Sequence, residues 1–173
     1  MPSLHVVTLC TGNAARSVMA GAILREHVPG LVVSTSGTHV IEGMPMSWRT
    51  RDALAGLDVS APGHRSMQLR DSHVEGADLV VGLAREHVEY VRRTHPEAAG
   101  KTATLRRLAR DLESGTSSLA ARVASLGLGS VDLEEWEDVV DPAGGDLPEF
   151  EACAQEIRDL IATLAPALAD ESS

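Results

Sequence analysis

Apolar residues in this chain alternate between short β-branched runs and longer runs of helical period. "LHVVTL" (4–9), "LVVSTS" (31–36) and "DLVVGL" (78–83) have the pattern of strands buried on both faces, and "TATL" (102–105) is a shorter run of the same kind. Between them the spacing changes. "AARSVMAGAILREHV" (14–28) sets Val18, Ala22, Ile23 and Val28 on one face and stops at "PG", which predicts an amphipathic helix. Further helices are predicted at 46–57, 69–77, 85–95 (closed before Pro96), 105–112, 117–127 and 148–168, with 128–148 mostly loop. Strands alternating with helices imply parallel βαβ units and a sheet with helices on both faces. No repeat or linker interrupts residues 1–173, so one α/β domain is expected, with a frayed tail at 169–173.

In open sheets of this kind ligands bind beyond the carboxyl ends of the strands, near the reversal of strand order. "CTGNAARS" (10–17) lies at the end of the first strand and runs into the first long helix. Backbone N–H groups of such a loop, together with those of the first helical turn, converge into an anion cradle. Gly12 can take a positive φ at no steric cost, and Asn13 tolerates the left-handed region better than most residues. Arg16 adds a planar fork that matches two oxygens of a tetrahedral oxyanion. The same dipoles favour a thiolate at Cys10, and Ser17 can add a hydroxyl hydrogen bond, so the loop joins a nucleophile to a receptor for the group it attacks. Expulsion of an alkoxide or phenoxide calls for a proton donor. "DPAGG" (141–145) offers Asp141, which Pro142 biases toward an extended backbone from which its carboxyl can project over a neighbouring site.

Bulk properties narrow the partners. A net charge of −10 argues against a nucleic-acid or anionic-membrane surface, and no run reaches the length of a bilayer span. Two cysteines are too few for a disulfide framework, and "MPSLHVV" has neither the basic start nor the apolar stretch of a leader, so a reducing, cytoplasmic setting is expected. Seven histidines show no metal-ligand pairing and neither cysteine has a CxxC partner, so no metal and no other cofactor are expected. Cys153 shares helical spacing with Phe150, Ile157, Leu160 and Leu164 and reads as a core residue. His87 and His95 read as a solvated helix face, and "RRLARDLE" (106–113) as exposed surface.

Taken together, "LCTGNAARS" and "DPAGGDLPEF", with "STSGTHVIEGMPM" (34–46) and "GHRSMQL" (63–69) between them, resemble the low-molecular-weight protein tyrosine phosphatase family over nearly the whole chain. That family's loop reads roughly C-x-G-N-x-C-R-S, and its acid loop begins Asp-Pro. The resemblance implies a four-stranded parallel sheet and hydrolysis of phosphomonoesters, with protein phosphotyrosine as the expected substrate and small phosphoesters as the other class. It implies Cys10 as nucleophile through a phosphocysteine, Arg16 as phosphate clamp, and Asp141 as acid and then base. Thr11, Gly12, Asn13, Ala14, Ala15 and Ser17 would bind the phosphate, and His64 and Thr35 would brace the loop through a network with Asn13. A monomer is expected. Ala15 stands where the family has a second loop cysteine, and Ala143 and Gly144 where it has aromatic residues at the mouth. His39, Val40 and Ile41 are expected to form the other wall. Two alternatives use the same cradle: arsenate reduction with an external thiol, and binding of phosphate-bearing partners without turnover.

Overall fold

A computed structural model describes residues 3–169. The runs of β-branched residues form β1 (His5–Cys10), β2 (Val32–Gly37), β3 (Leu79–Gly82) and β4 (Thr102–Thr104). All pair in parallel in the order β2-β1-β3-β4. The helices are α1 (Arg16–His27), α2 (Trp48–Ala55), α3 (Asp71–Glu75), α4 (Arg85–Thr94), α5 (Leu105–Asp111), α6 (Leu119–Ala124) and α7 (Leu147–Ala169). Each predicted element is present within a few residues of its expected bounds. The loop over 128–148 contains one 3-10 turn, Glu135–Glu137. Ala169 closes α7, and the rest of the expected tail, 170–173, lies outside the described residues. No described helix is long and apolar enough to cross a membrane.

Period-two alternation sorts the strand side chains between two cores. Val6, Leu79, Val81 and Cys10 face a cluster built with α1, α2, α5 and α7, while Val7, Leu9 and Val80 face one built with Val74 of α3 and Val91 of α4. Because β1 is flanked by β2 on one side and β3 on the other, its carboxyl end is the switch point of the sheet. Cys10, aligned with Gly37 in the parallel register, ends the strand there, on the α1 side.

Three expectations change. Residues Arg16 to Leu24 of α1 are all buried, so this helix has no solvated face until its last turn; the sheet and α7 enclose it. On α7, Ile161 rather than Leu160 joins Phe150, Cys153, Ile157 and Leu164 in the core, which fits a 3.6-residue period better over this length. "RRLARDLE" is not an exposed surface: Leu108 is core, and Arg107 is buried in an ion pair with the wholly buried Glu137.

Candidate active site

The turn from β1 into α1 is held by its carbonyls. Thr38 N–H donates to Cys10 O (3.0 Å) and His39 N–H to Thr11 O (3.0 Å). Asn13 O accepts from His64 Nε2 (2.8 Å) and Ser66 Oγ (2.9 Å), and Ala14 O from Thr50 Oγ1 (2.9 Å). Burial pushes His64 below the ordinary histidine value, which keeps a neutral ring with Nε2–H as donor. Asn13 takes the left-handed conformation (φ 53°), and its side chain accepts from Met67 N–H at Oδ1 (3.0 Å). With the carbonyls tied outward, the N–H groups of Gly12 through Ser17 have no protein acceptor among the described residues. Six N–H groups of one turn, free and adjacent, make an anion receptor.

Cys10 is buried at the base of this turn, with its Sγ 3.0 Å from Ser17 Oγ. Asn13 Nδ2 donates to the same hydroxyl (2.8 Å), which leaves the hydroxyl's own proton for the sulfur. Thr8 Oγ1 donates to Ser17 O (2.7 Å) and fixes the first turn of α1 against the strand.

Gly37 makes the close packing possible. A Cβ there would lie 2.6 Å from Thr11 O, 3.0 Å from Asn13 N and 2.4 Å from Val40 Cγ2. The first two are backbone atoms of the turn itself, so Gly37→Ala must displace it. We expect a Gly37→Ala variant that still folds to lose turnover by roughly 10–100-fold, because small misplacements of reacting groups are costly. Steady-state kinetics beside a melting curve checks this, and full activity in a folded variant would mean that the turn tolerates the shift.

Arg16 is buried and bridges two segments. Its Nη1 donates to Val139 O (2.9 Å), and its Nη2 lies 3.5 Å from Asp141 Oδ2 and 3.9 Å from Glu86 Oε1. The segment before Asp141 is anchored on the sheet side by Val139 N–H to Leu83 O (2.8 Å) and by a fork between Asp138 and Arg85 (2.9 Å at its shortest). Asp141 Oδ1 accepts from Ala143 N–H (3.0 Å), a turn that leaves the half-exposed carboxyl pointing across to Arg16. A cleft of about 550 Å³ opens here, lined by Arg16, Glu86, Glu89, Val140 and Asp141 among others.

Of the residues expected at the site, Cys10, Asn13 and Ser17 form one hydrogen-bonded network, which His64 joins through Asn13, while Arg16 of the same turn pairs with Asp141. Thr35 does not share in it: its methyl group faces Gly21, and the bonds on Asn13 come from His64, Ser66 and Met67 instead. The expected wall of His39, Val40 and Ile41 does not line the cleft; Ile41 is exposed and His39 packs edge-on against Tyr90. His87 and His95 are buried rather than solvated, because the start of α4 tucks under the loop and His95 pairs with Asp71 (2.7 Å). Glu86, Asp138 and Arg85 were not expected here. No motif marks them, and only the return of 138–141 to the end of β3 brings them in. Burial pushes the Cys153 thiol up to about 12, and its Sγ lies 3.9 Å from Val140 O, the setting of an inert core cysteine.

Comparison with known proteins gives consistent results. A family model described as low molecular weight phosphotyrosine protein phosphatase matches residues 5–121, stopping short of Asp141. A protein-arginine-phosphatase of Geobacillus stearothermophilus is 30% identical over 96% of this chain and 97% of its own length. The low molecular weight protein-tyrosine-phosphatase Etp of Escherichia coli (strain K12) is 32% identical over 56% of this chain and 66% of its own. Among solved structures, the YwlE arginine phosphatase from G. stearothermophilus superposes with a TM-score of 0.74 at 30% identity, covering 94% of this chain and 90% of that one. A low molecular weight protein tyrosine phosphatase from T. tengcongensis gives 0.75 at 27% identity, covering 94% and 97%.

Proposed function

The chain belongs to the low molecular weight phosphotyrosine protein phosphatase family and is a phosphatase, and from that premise we propose how its own residues carry the reaction and on which phosphoryl group. The phosphoryl group sits on the N–H groups of Gly12 to Ser17, with Arg16 across two of its oxygens. Cys10 Sγ bonds to phosphorus as the bond to the leaving atom breaks, and Asp141 delivers a proton to that atom. The Asp141 carboxylate then takes a proton from the water that attacks the phosphocysteine, which releases inorganic phosphate and the Cys10 thiolate. The turn whose carbonyls at Cys10, Thr11, Asn13 and Ala14 are bonded outward carries this reading. Every group it uses comes from one chain, so a monomer over 1–173 suffices. Both cysteines are free, which suits a reducing, cytoplasmic setting.

For the substrate, the lining of the cleft favours phosphoarginine on a protein. It holds Glu86, Glu89, Asp138 and Asp141 against Arg16 and Arg85, and no aromatic side chain. Once Arg85 is matched to Asp138, Asp141 and Glu86 remain within 4 Å of Arg16, and Glu89 lines the same cleft. An aryl phosphate dianion meets like charge there and no ring to stack on. A phosphorylated guanidine brings N–H donors and a cationic leaving group. The full-length relative named a protein-arginine-phosphatase supports this reading, and the relatives named tyrosine phosphatases support phosphotyrosine as the second. An internal thiol relay for arsenate draws no support from Cys153, whose thiol is held protonated and buried.

The test is kcat/KM on matched phosphoarginine and phosphotyrosine peptides, for the wild type and for Asp141→Asn. We expect the wild type to favour phosphoarginine. Asp141→Asn should lose about 100- to 10,000-fold on it, since guanidine leaves as a strong base, and far less on p-nitrophenyl phosphate, whose phenoxide needs little help. A preference for phosphotyrosine would return the substrate to the second reading, and an equal loss on both leaving groups would remove Asp141 as the acid.

A further inference from the structure

Glu86 is the second residue of α4, and a chain of hydrogen bonds with one consistent direction holds its carboxylate at the rim of the anion turn. The chain starts at His87, which is wholly buried. His87 Nδ1 accepts the N–H groups of Leu83 (3.2 Å) and Ala84 (3.0 Å) and so carries no proton. The ring's one hydrogen is therefore on Nε2, which lies 3.1 Å from Thr11 Oγ1 and donates to it. Burial pushes His87 down to about 3, so this neutral tautomer persists at working pH. With its oxygen accepting from His87, Thr11 sends its own hydroxyl proton to Glu86 Oε1 (3.3 Å). Glu86 Oε1 lies 3.9 Å from Arg16 Nη2, the same nitrogen that faces Asp141 Oδ2 at 3.5 Å. The Glu86 side chain is nonetheless 65% exposed, open to the cleft.

We infer that Glu86 is the residue that selects a guanidinium leaving group, an assignment that rests on the phosphoarginine reading above. Two carboxylates stand at the rim, and the proposed chemistry uses only Asp141. Asp141 must exchange a proton with the leaving atom and with water, so it cannot also stay committed as a fixed acceptor. Glu86, already oriented by Thr11, takes that second part. Its carboxylate accepts the N–H fork of the arginine side chain while the phosphoryl group occupies the turn. A phenol ring offers no such donors, so the repulsion between Glu86 and the phosphoryl dianion common to both substrates is offset only where a guanidinium is present. The same carboxylate thus draws one substrate and turns the other away.

Glu86→Gln keeps the length and the acceptor for Thr11 while removing the charge. On a phosphoarginine peptide we expect kcat/KM to fall about 10–100-fold, the usual range for losing a charged hydrogen-bond partner. On the matched phosphotyrosine peptide we expect it to rise. Glu86→Asp should recover part of the phosphoarginine activity and leave the phosphotyrosine activity low. A parallel fall on both peptides would overturn the inference, reducing Glu86 to a support for Thr11. A wild type that does not turn over the phosphoarginine peptide would overturn the substrate reading itself, and that result is visible without any variant.

Discussion

A Cys10→Ser variant is expected to lose at least about four orders of magnitude in kcat on every phosphoryl substrate while melting within a few degrees of the wild type. The expectation follows from where the residue sits. Cys10 ends the central strand, and its side chain is fixed at the base of the turn by Ser17, so no other side chain can take its place in line with a phosphoryl group bound above it. Cys153 lies nearby, behind Val140, but burial keeps its thiol protonated and so unreactive. A serine hydroxyl is slightly smaller, accepts the same Ser17 contact and leaves the free N–H groups of Gly12 to Ser17 untouched. Phosphate binding should therefore survive while nucleophilic attack does not. Isothermal titration with inorganic phosphate beside steady-state kinetics separates the two. Turnover within tenfold of the wild type would rule out a cysteine nucleophile, and loss of phosphate binding together with turnover would mean that the turn depends on sulfur for its shape.

The sequence makes the catalytic turn legible because the turn is local. Strand end, left-handed asparagine, arginine and helix start lie within "LCTGNAARS", and each contributes through its own backbone or side chain; Gly12 does not take the positive φ open to it, which falls to Asn13 alone in this turn. Asp141 is legible only once the Pro after it and the resemblance are weighed together. The rest of the site is set by long-range contacts that leave no periodic trace. His87 looks like a surface histidine because Arg85, Glu86 and Glu89 around it are polar, yet its Nδ1 caps the start of α4 and its Nε2 reaches Thr11, 76 residues away in sequence. Helix α1 looks amphipathic because Arg25, Glu26 and His27 end it, whereas its first nine residues are enclosed. Arg107 is hidden by the same effect. A charge at helical spacing suggests solvent, and only the return of 132–137 over α5 supplies the partners that bury it.

That burial makes Glu137→Leu the substitution with the largest expected effect on stability. The wholly buried Glu137 accepts from Arg107 Nε at Oε1 (2.8 Å) and Nη2 at Oε2 (2.9 Å), from Thr104 Oγ1 (3.0 Å) and from Glu134 N–H (2.7 Å). Burial pushes its carboxyl up, but these donors outweigh burial and hold it below the usual carboxylate range. Removing it leaves the buried Arg107 guanidinium only the longer contacts to Asp111 (3.5 Å) and Glu134 (3.8 Å), a loss of about 3–5 kcal/mol. In a chain of this size that corresponds to a fall of roughly 6–20 °C in Tm. Because the folded carboxyl titrates below the unfolded one, its contribution is present at neutral pH and is lost as pH falls through the lowered value, so the gap between wild type and variant should narrow in acid. Arg107→Met combined with Glu137→Leu should recover much of the loss, since apolar groups of similar size often replace a buried ion pair without cost. Wild-type stability in the Glu137 variant alone would mean that Asp111, Glu134 or water compensates Arg107 fully. The pair also bears on catalysis. Glu137 lies four residues before Asp141, and the intervening Val139 takes Arg16 Nη1 on its carbonyl, so loosening this anchor should slow the step that needs the acid more than it weakens phosphate binding. A kcat that falls while the phosphate Kd holds would tie the stability of this buried pair to the position of the proton donor.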